Sequence, residues 1–189
     1  GEQATIEAQP GECLVFSDGL RFDLGQHLRA HFEERGLKVT FDRRWAALPT
    51  VTATAKPAVS PLAGQIVGGM TLPETFAPTL DGKEMTTARF RKALTQCGHD
   101  YLTGAETGEP SGKAWTECGS IDARGHDMQI GLAGQIPEEL ERLADRVIEL
   151  LDAGWAKVRV VTDHGWLLIP GGLPKAELPG YLVASRWSR

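Results

Sequence analysis

"CLVFSDGLRFDLGQHLRAHFEERGLKVTF", Cys13 to Phe41, is the stretch that decides the fold class. Cys13 to Ser17 is a short apolar run of the kind that forms a buried strand. Leu24, Leu28 and Phe32 then recur at helical spacing, and Gly36 supplies the residue at which helices commonly stop. Leu37 to Phe41 reads as a second strand. A strand, a helix and a strand in succession predict an α/β fold with a mostly parallel sheet flanked by helices.

The rest of the chain extends that pattern. "PEELERLADRVIELLDAGW", Pro137 to Trp155, is the clearest helix. Pro137 sits at its start, Glu138 and Glu139 fill the first turn, and Leu140, Leu143, Ala144, Val147, Ile148 and Leu151 make one apolar stripe. "KVRVV", Lys157 to Val161, is the next strand, and "AWTECGSID" reads as a strand leading into "ARGHD". In "ALPTVTATAKPAVSPLAG", Ala47 to Gly64, Pro49 breaks what precedes it, and Thr52 or Thr54 can cap a short helix. Residues from about 65 to 118, rich in Gly, Pro and Thr, contain the helical piece "TTARFRKALTQCG" and are expected to form an insertion or cap over one sheet edge.

A length of 189 residues suits one domain, residues 1–189, and 41% hydrophobic with 24% charged residues is ordinary for a globular chain. No apolar run approaches the roughly 18 residues of a membrane helix, and no signal peptide is visible. The expectation is a cytoplasmic protein with no membrane partner. A start at Gly1 and an end at "ASRWSR" suggest a domain excised from something longer. The net charge of -5 excludes an overall basic coat for nucleic acid, though not a local basic patch. Cys13, Cys97 and Cys118 are odd in number and lack CxxC spacing, which reads as reduced thiols, with Cys13 in the core.

Three acidic residues share one context. Asp18 follows "CLVFS", Asp122 follows "ECGSI" and Asp163 follows "KVRVVT". Ligands of open α/β sheets bind outside the carboxyl ends of the strands, so the three side chains are expected to converge there. His126 lies four residues beyond Asp122, and His164 is adjacent to Asp163. Carboxylate and imidazole together suit zinc, manganese or iron better than calcium. Each motif also has a plainer reading: Asp18-Gly19 as a turn, "DARGHD" as a polar loop, His27 and His31 as surface residues, His99 as a helix-end complement. Thr50, Thr52 and Thr54 alternate before a helix start, where they either cap it or offer a nucleophilic hydroxyl, and periodicity does not choose among them. Arg21 and Lys56 lie near these motifs. Their plainer roles are pairing with Asp23 and solvation.

Taken in order, "VFSDGLRFDL", "ALPTVTATAKPAVSPL", "IDARGHD" and "VTDHGW…PGG" resemble the alkaline phosphatase superfamily, and within it the PglZ family of bacterial phage-defence (BREX-type) systems. The resemblance runs from about Cys13 to the C-terminus, with 65–118 contributing little. It implies an alkaline-phosphatase-like sheet, truncated at the C-terminus, and a divalent metal site of one or two ions, zinc or manganese. Asp18, Thr52, Asp163 and His164 would hold one ion, with Thr52 as nucleophile; Asp122 and His126 would hold the other. The family's last ligand, a further His, has no counterpart, since no His follows His164. The implied activity is metal-dependent phosphohydrolysis of a phosphate ester, a diester such as nucleic acid rather than a monoester, because no Arg is dedicated to a dianionic phosphate. The partners implied are other defence proteins. The alternative is an inactive scaffold or interaction module that keeps the fold.

Overall fold

The computed structural model describes residues 6–68 and 77–167. Its centre is strand β1, Glu12–Phe16, buried at every position. Continuous burial is what a strand covered on both faces requires, and it explains why "CLVF" is apolar without alternation. β1 is flanked by helix α1, Phe22–Glu34, and after a long irregular stretch by the short α2, Thr52–Ala58. A two-residue pair follows, β2 (Thr79–Leu80) with β3 (Lys83–Glu84), then α3 (Thr87–Gln96), β4 (Asp100–Leu102), β5 (Lys113–Glu117), α4 (Ile121–Met128), a 3-10 turn (Gln129–Gly134), α5 (Ile136–Asp152) and β6 (Lys157–Val161).

The main sheet has the order β4-β5-β1-β6 and is parallel throughout. Successive side chains of β1 therefore feed two cores. Cys13 and Val15 face α1 and α5, where Leu24, Leu28 and Phe32 meet Leu143, Val147 and Leu150. Leu14 and Phe16 face Trp115, Leu62 and the Phe90 and Leu94 side of α3. Phe16 stacks on Trp115 with centroids 5.6 Å apart, and Phe90 meets the same indole edge-on at 5.5 Å. Cys13 lies wholly inside the first core, and burial pushes its thiol up to about 12, so it is an inert core residue.

Two expectations need correction. Leu37 to Phe41 is not a strand of the sheet. Leu37 and Val39 are half-buried against the first core, but the segment has no place in the strand order, so among the described residues β6 is an edge strand. An extended segment lying along a core shows the same alternation as a paired strand. Only ladder hydrogen bonds separate them. The helical stripe of α5 is also shifted. Its buried face is Leu143, Ala144, Val147 and Leu150, and it includes two charged residues, Glu139 and Arg146. Arg146 bonds Glu149 at 2.5 Å and the carbonyl of Glu106 through its two terminal nitrogens, while its buried Nε has no partner.

The span expected as an insertion, about 65–118, divides. β4 and β5 extend the main sheet, while β2, β3 and α3 lie outside it. The sequence "PGG" at Pro170 to Gly172 falls outside the described residues. Among the described residues no helix is long and apolar enough to cross a membrane.

Leu14 is fully buried at the centre of the sheet. Leu14→Ala is expected to cost about 2–5 kcal/mol of unfolding free energy, read from urea titration. A loss below about 1 kcal/mol would mean that the second core closes over the cavity without strain.

Candidate metal centre

All strands of the sheet end on the same side, so the residues just past β1, β5 and β6 share one edge. Asp18 and Gly19 follow β1, Asp122 opens α4 after β5, and Asp163 and His164 follow β6. Gly19 holds two of these connections together. Its φ is +68°, a conformation open to glycine, and a Cβ there would come within 3.1 Å of the Asp122 Cβ. Its N–H donates to Asp163 Oδ1 at 3.3 Å, while the Thr162 hydroxyl accepts from Leu20 N at 3.0 Å.

Thr52 reaches the same edge from α2. Its hydroxyl does not cap the helix; Val51 is the N-cap residue and makes no side-chain bond. Instead Thr52 Oγ1 donates toward Asp18, 3.3 Å from Oδ1 and 3.4 Å from Oδ2, and lies 3.2 Å from His164 Nε2. The capping reading of Thr52 is thus replaced by a contact with the carboxylate and imidazole. Thr50 stays exposed.

His164 is oriented by its other nitrogen. Nδ1 lies 3.1 Å from the Gly165 carbonyl, which can only accept, so Nδ1 carries the proton there. In the neutral ring Nε2 then presents a lone pair toward Thr52 and toward Asp18 Oδ1, 3.4 Å away. Asp163 is buried. Its Oδ1 accepts from Gly19 and from His164 N at 3.0 Å, but its Oδ2 has no hydrogen-bond donor, and the nearest cationic candidate, His164 Nε2, is 3.7 Å away.

Among the described residues, one ligand atom each from Asp18, Asp122 and His164 lies within 4.8 Å of the other two. The electrostatics follow from that crowding. Burial, then the charges of Asp163 and Asp122, push the Asp18 carboxyl up to about 6, against the pull of His164 and Thr52. Burial likewise raises Asp163. Carboxylates crowded in a desolvated crevice, a buried oxygen without a donor and an imidazole lone pair form a donor set that fits a divalent cation.

Asp122 joins the group of Asp18 and His164. His126 pairs with Asp122 at 3.4 Å along α4, but its side chain is 73% exposed and stands at the rim. His27 and His31 lie far along α1, with His31 3.3 Å from Glu141, and His99 is buried with Nδ1 3.2 Å from the Cys97 carbonyl. Arg21 pairs with Asp23 at 2.5 Å, as its spacing suggests, and also covers the Trp166 ring at 4.3 Å.

Lys56 is not solvated. Its ammonium is 2.6 Å from Glu117 at the end of β5, over the rings of Phe16 and Phe90, so it ties α2 to the sheet edge one helical turn from Thr52. Glu139 is the other anchor that sequence reasoning missed. Buried at the start of α5, it accepts from Ser120 N at 2.8 Å and Arg142 at 2.9 Å and lies 3.1 Å from Arg124, fixing the loop that delivers Asp122. Acidic residues in a first helical turn are common on the surface, so nothing in the sequence marked this one as interior.

No family model matches the chain, and no curated protein or solved structure matches it either.

Two outcomes follow from this geometry. Glu139→Ala removes the acceptor of Ser120 N and should lower stability by about 1–3 kcal/mol in urea titration; a loss under about 0.5 kcal/mol would show that the anchor is dispensable. Asp18 supplies a pH signature. The unfolded chain releases its proton near 3.8 and the folded chain only near about 6, so the folded chain binds more protons in between. The stability tied to Asp18 is therefore present below about pH 4 and lost as pH rises through about 6. In metal-free protein, the advantage of Asp18→Asn over wild type in melting temperature should be larger at about pH 7 than at about pH 4. An advantage independent of pH would refute the crowding.

Proposed function

We propose that this chain is a metal-dependent phosphohydrolase acting on phosphodiesters, with an alkaline-phosphatase-like architecture of the PglZ kind. The observation that carries the reading is Thr52 Oγ, held between Asp18 and His164 beside the donorless Oδ2 of buried Asp163. Asp18, Asp122 and His164 would hold a divalent cation, zinc or manganese, with the Thr52 hydroxyl and the donorless Oδ2 of Asp163 beside it. Such a cation supplies Lewis-acid stabilisation of phosphoryl charge and favours the ionised hydroxyl.

The chain's own groups account for the rest. Thr52 is placed on the first residue of α2, and Lys56 holds that helix against Glu117, which limits the positions its hydroxyl can take. Asp18 accepts the Thr52 hydrogen bond, which aims the hydroxyl, and the Thr52 proton leaves to solvent. Thr52 Oγ bonds to phosphorus as the bond to the leaving oxygen breaks, and that oxygen takes a proton from solvent. Water then attacks phosphorus and returns the Thr52 hydroxyl. The diester preference is supported by the side chains near the site: Arg21 is bound to Asp23 and Lys56 to Glu117, so neither is set aside for a second phosphate charge.

A second reading, a defence-complex module that binds partners and keeps only the fold, is favoured by the position of His126. A two-ion site would draw it inward, whereas it stands 73% exposed.

Elemental analysis decides the metal reading: about one zinc or manganese per chain is expected, lost in Asp163→Ala. Thr52→Ala should then reduce hydrolysis of bis(p-nitrophenyl) phosphate by about a thousandfold or more. Undiminished turnover in Thr52→Ala would remove Thr52 from the chemistry, and no bound metal in excess zinc or manganese would leave the module reading.

A further inference from the structure

The least explained surface of the molecule borders the metal centre. The loop Asp42–Leu48 carries Trp45, 95% exposed, and Leu48, 84% exposed, beside Arg43 and Arg44. Its two ends locate it. Just before the loop, Phe41 packs edge-on against Phe22, the first residue of α1, at 5.5 Å, and its ring meets the position of Gly25. Just after it, Pro49 leads to Thr52, whose hydroxyl touches Asp18. Both anchors lie where the chain leaves β1 at the carboxyl edge of the sheet. Trp45 is four residues from Phe41, so chain length alone confines it to within about 14 Å of that anchor.

We propose that this loop is a platform for single-stranded nucleic acid, with Trp45 stacking a base while Arg43 and Arg44 meet the adjacent phosphates and the strand runs into the Thr52 crevice. The inference rests on the phosphodiesterase reading for its substrate class and names that substrate. A folded chain seldom leaves an indole in water without a partner, and Trp45 is the most exposed of the large apolar residues described. Its neighbours choose the partner. Lys38, Arg43 and Arg44 against Asp42 make this segment basic in a chain of net charge -5, so the positive charge is local rather than general. Asp42 accepts from the backbone N–H of Arg43 at 2.8 Å and lies 3.9 Å from Arg44 Nε. An exposed aromatic face with adjacent guanidinium groups is the recognition chemistry of an unpaired strand, whose bases are free to stack. A duplex buries those faces.

The test uses the full chain and fluorescence anisotropy of a labelled oligothymidylate of about 12 nucleotides, within the span of single-strand grooves. Trp45→Ala should weaken binding by about 5- to 150-fold, the worth of one base stack, and Trp45→Phe should recover part of it. Replacing Arg43 and Arg44 together by Ala should flatten the slope of log K against log salt by about 1.4. Turnover of bis(p-nitrophenyl) phosphate, too small to reach the loop, should be unchanged in Trp45→Ala. Equal oligonucleotide affinity in wild type and Trp45→Ala overturns the platform while leaving small-diester turnover as evidence for the site. Loss of turnover with the stack intact does the reverse: the catalytic reading fails and the platform stands. A wild-type dimer that Trp45→Ala makes monomeric, with no oligonucleotide bound, assigns the indole to a protein contact and also overturns the proposal.

Discussion

Mutual repulsion among Asp18, Asp122 and Asp163 is the constraint that the rest of this structure answers. Parallel strands bring the three carboxyls to one edge, where Asp163 is buried and Asp18 and Asp122 are half-buried, which thins the water that would screen them. The fold meets that cost with donors rather than with lysine or arginine. Gly19 N and His164 N point at Asp163, the Thr52 hydroxyl points at Asp18, and the nearest cationic side chains are engaged elsewhere. Lys56 neutralises Glu117, and Arg124 and Arg142 surround Glu139. Positive charge is thus kept one residue or one loop away from the crevice. That arrangement leaves the carboxylates electrostatically unfinished, which is the condition under which a cation binds best.

The parts of this architecture that sequence made legible are those set by local periodicity. The apolar run of β1, the Leu24, Leu28 and Phe32 stripe of α1, the strand before Asp163 and the span of α5 each depend on residues close together in the chain. The carboxyl-edge position of Asp18, Asp122, Asp163 and His164 was legible for the same reason: each follows a recognisable strand. What escaped depends on distant partners. Whether Leu37 to Phe41 joins a ladder is decided by β6, more than a hundred residues away, and the strand order leaves it out. Buried Glu139 and the Lys56–Glu117 pair look like surface charge until the loop and strand that cover them are placed. Thr52 was indistinguishable from Thr50 and Thr54 by pattern alone, and its contact with Asp18 is what separates them.

Burial also sorts the charged residues into two kinds. Glu139, Arg146 and Glu12 are interior and multiply bonded, with Glu12 2.6 Å from Arg159 and 3.2 Å from Lys157 at the end of the sheet opposite the carboxyl edge. These pairs stitch strands and helices together. At the carboxyl edge, Asp163 combines deep burial with a carboxylate oxygen, Oδ2, that meets no hydrogen-bond donor.

The register of β1 has a consequence for how the protein is made. Glu12 pairs with Lys113 on one side and Lys157 on the other, so the most apolar strand leaves the ribosome first and its partners come roughly 100 and 145 residues later. At ordinary elongation rates that interval is on the order of ten seconds. During it, five consecutive residues destined for the interior have no native neighbour on either edge. Nascent-chain protection, by a chaperone or by transient cover from the amphipathic α1 that follows directly, is therefore built into the life history of this topology.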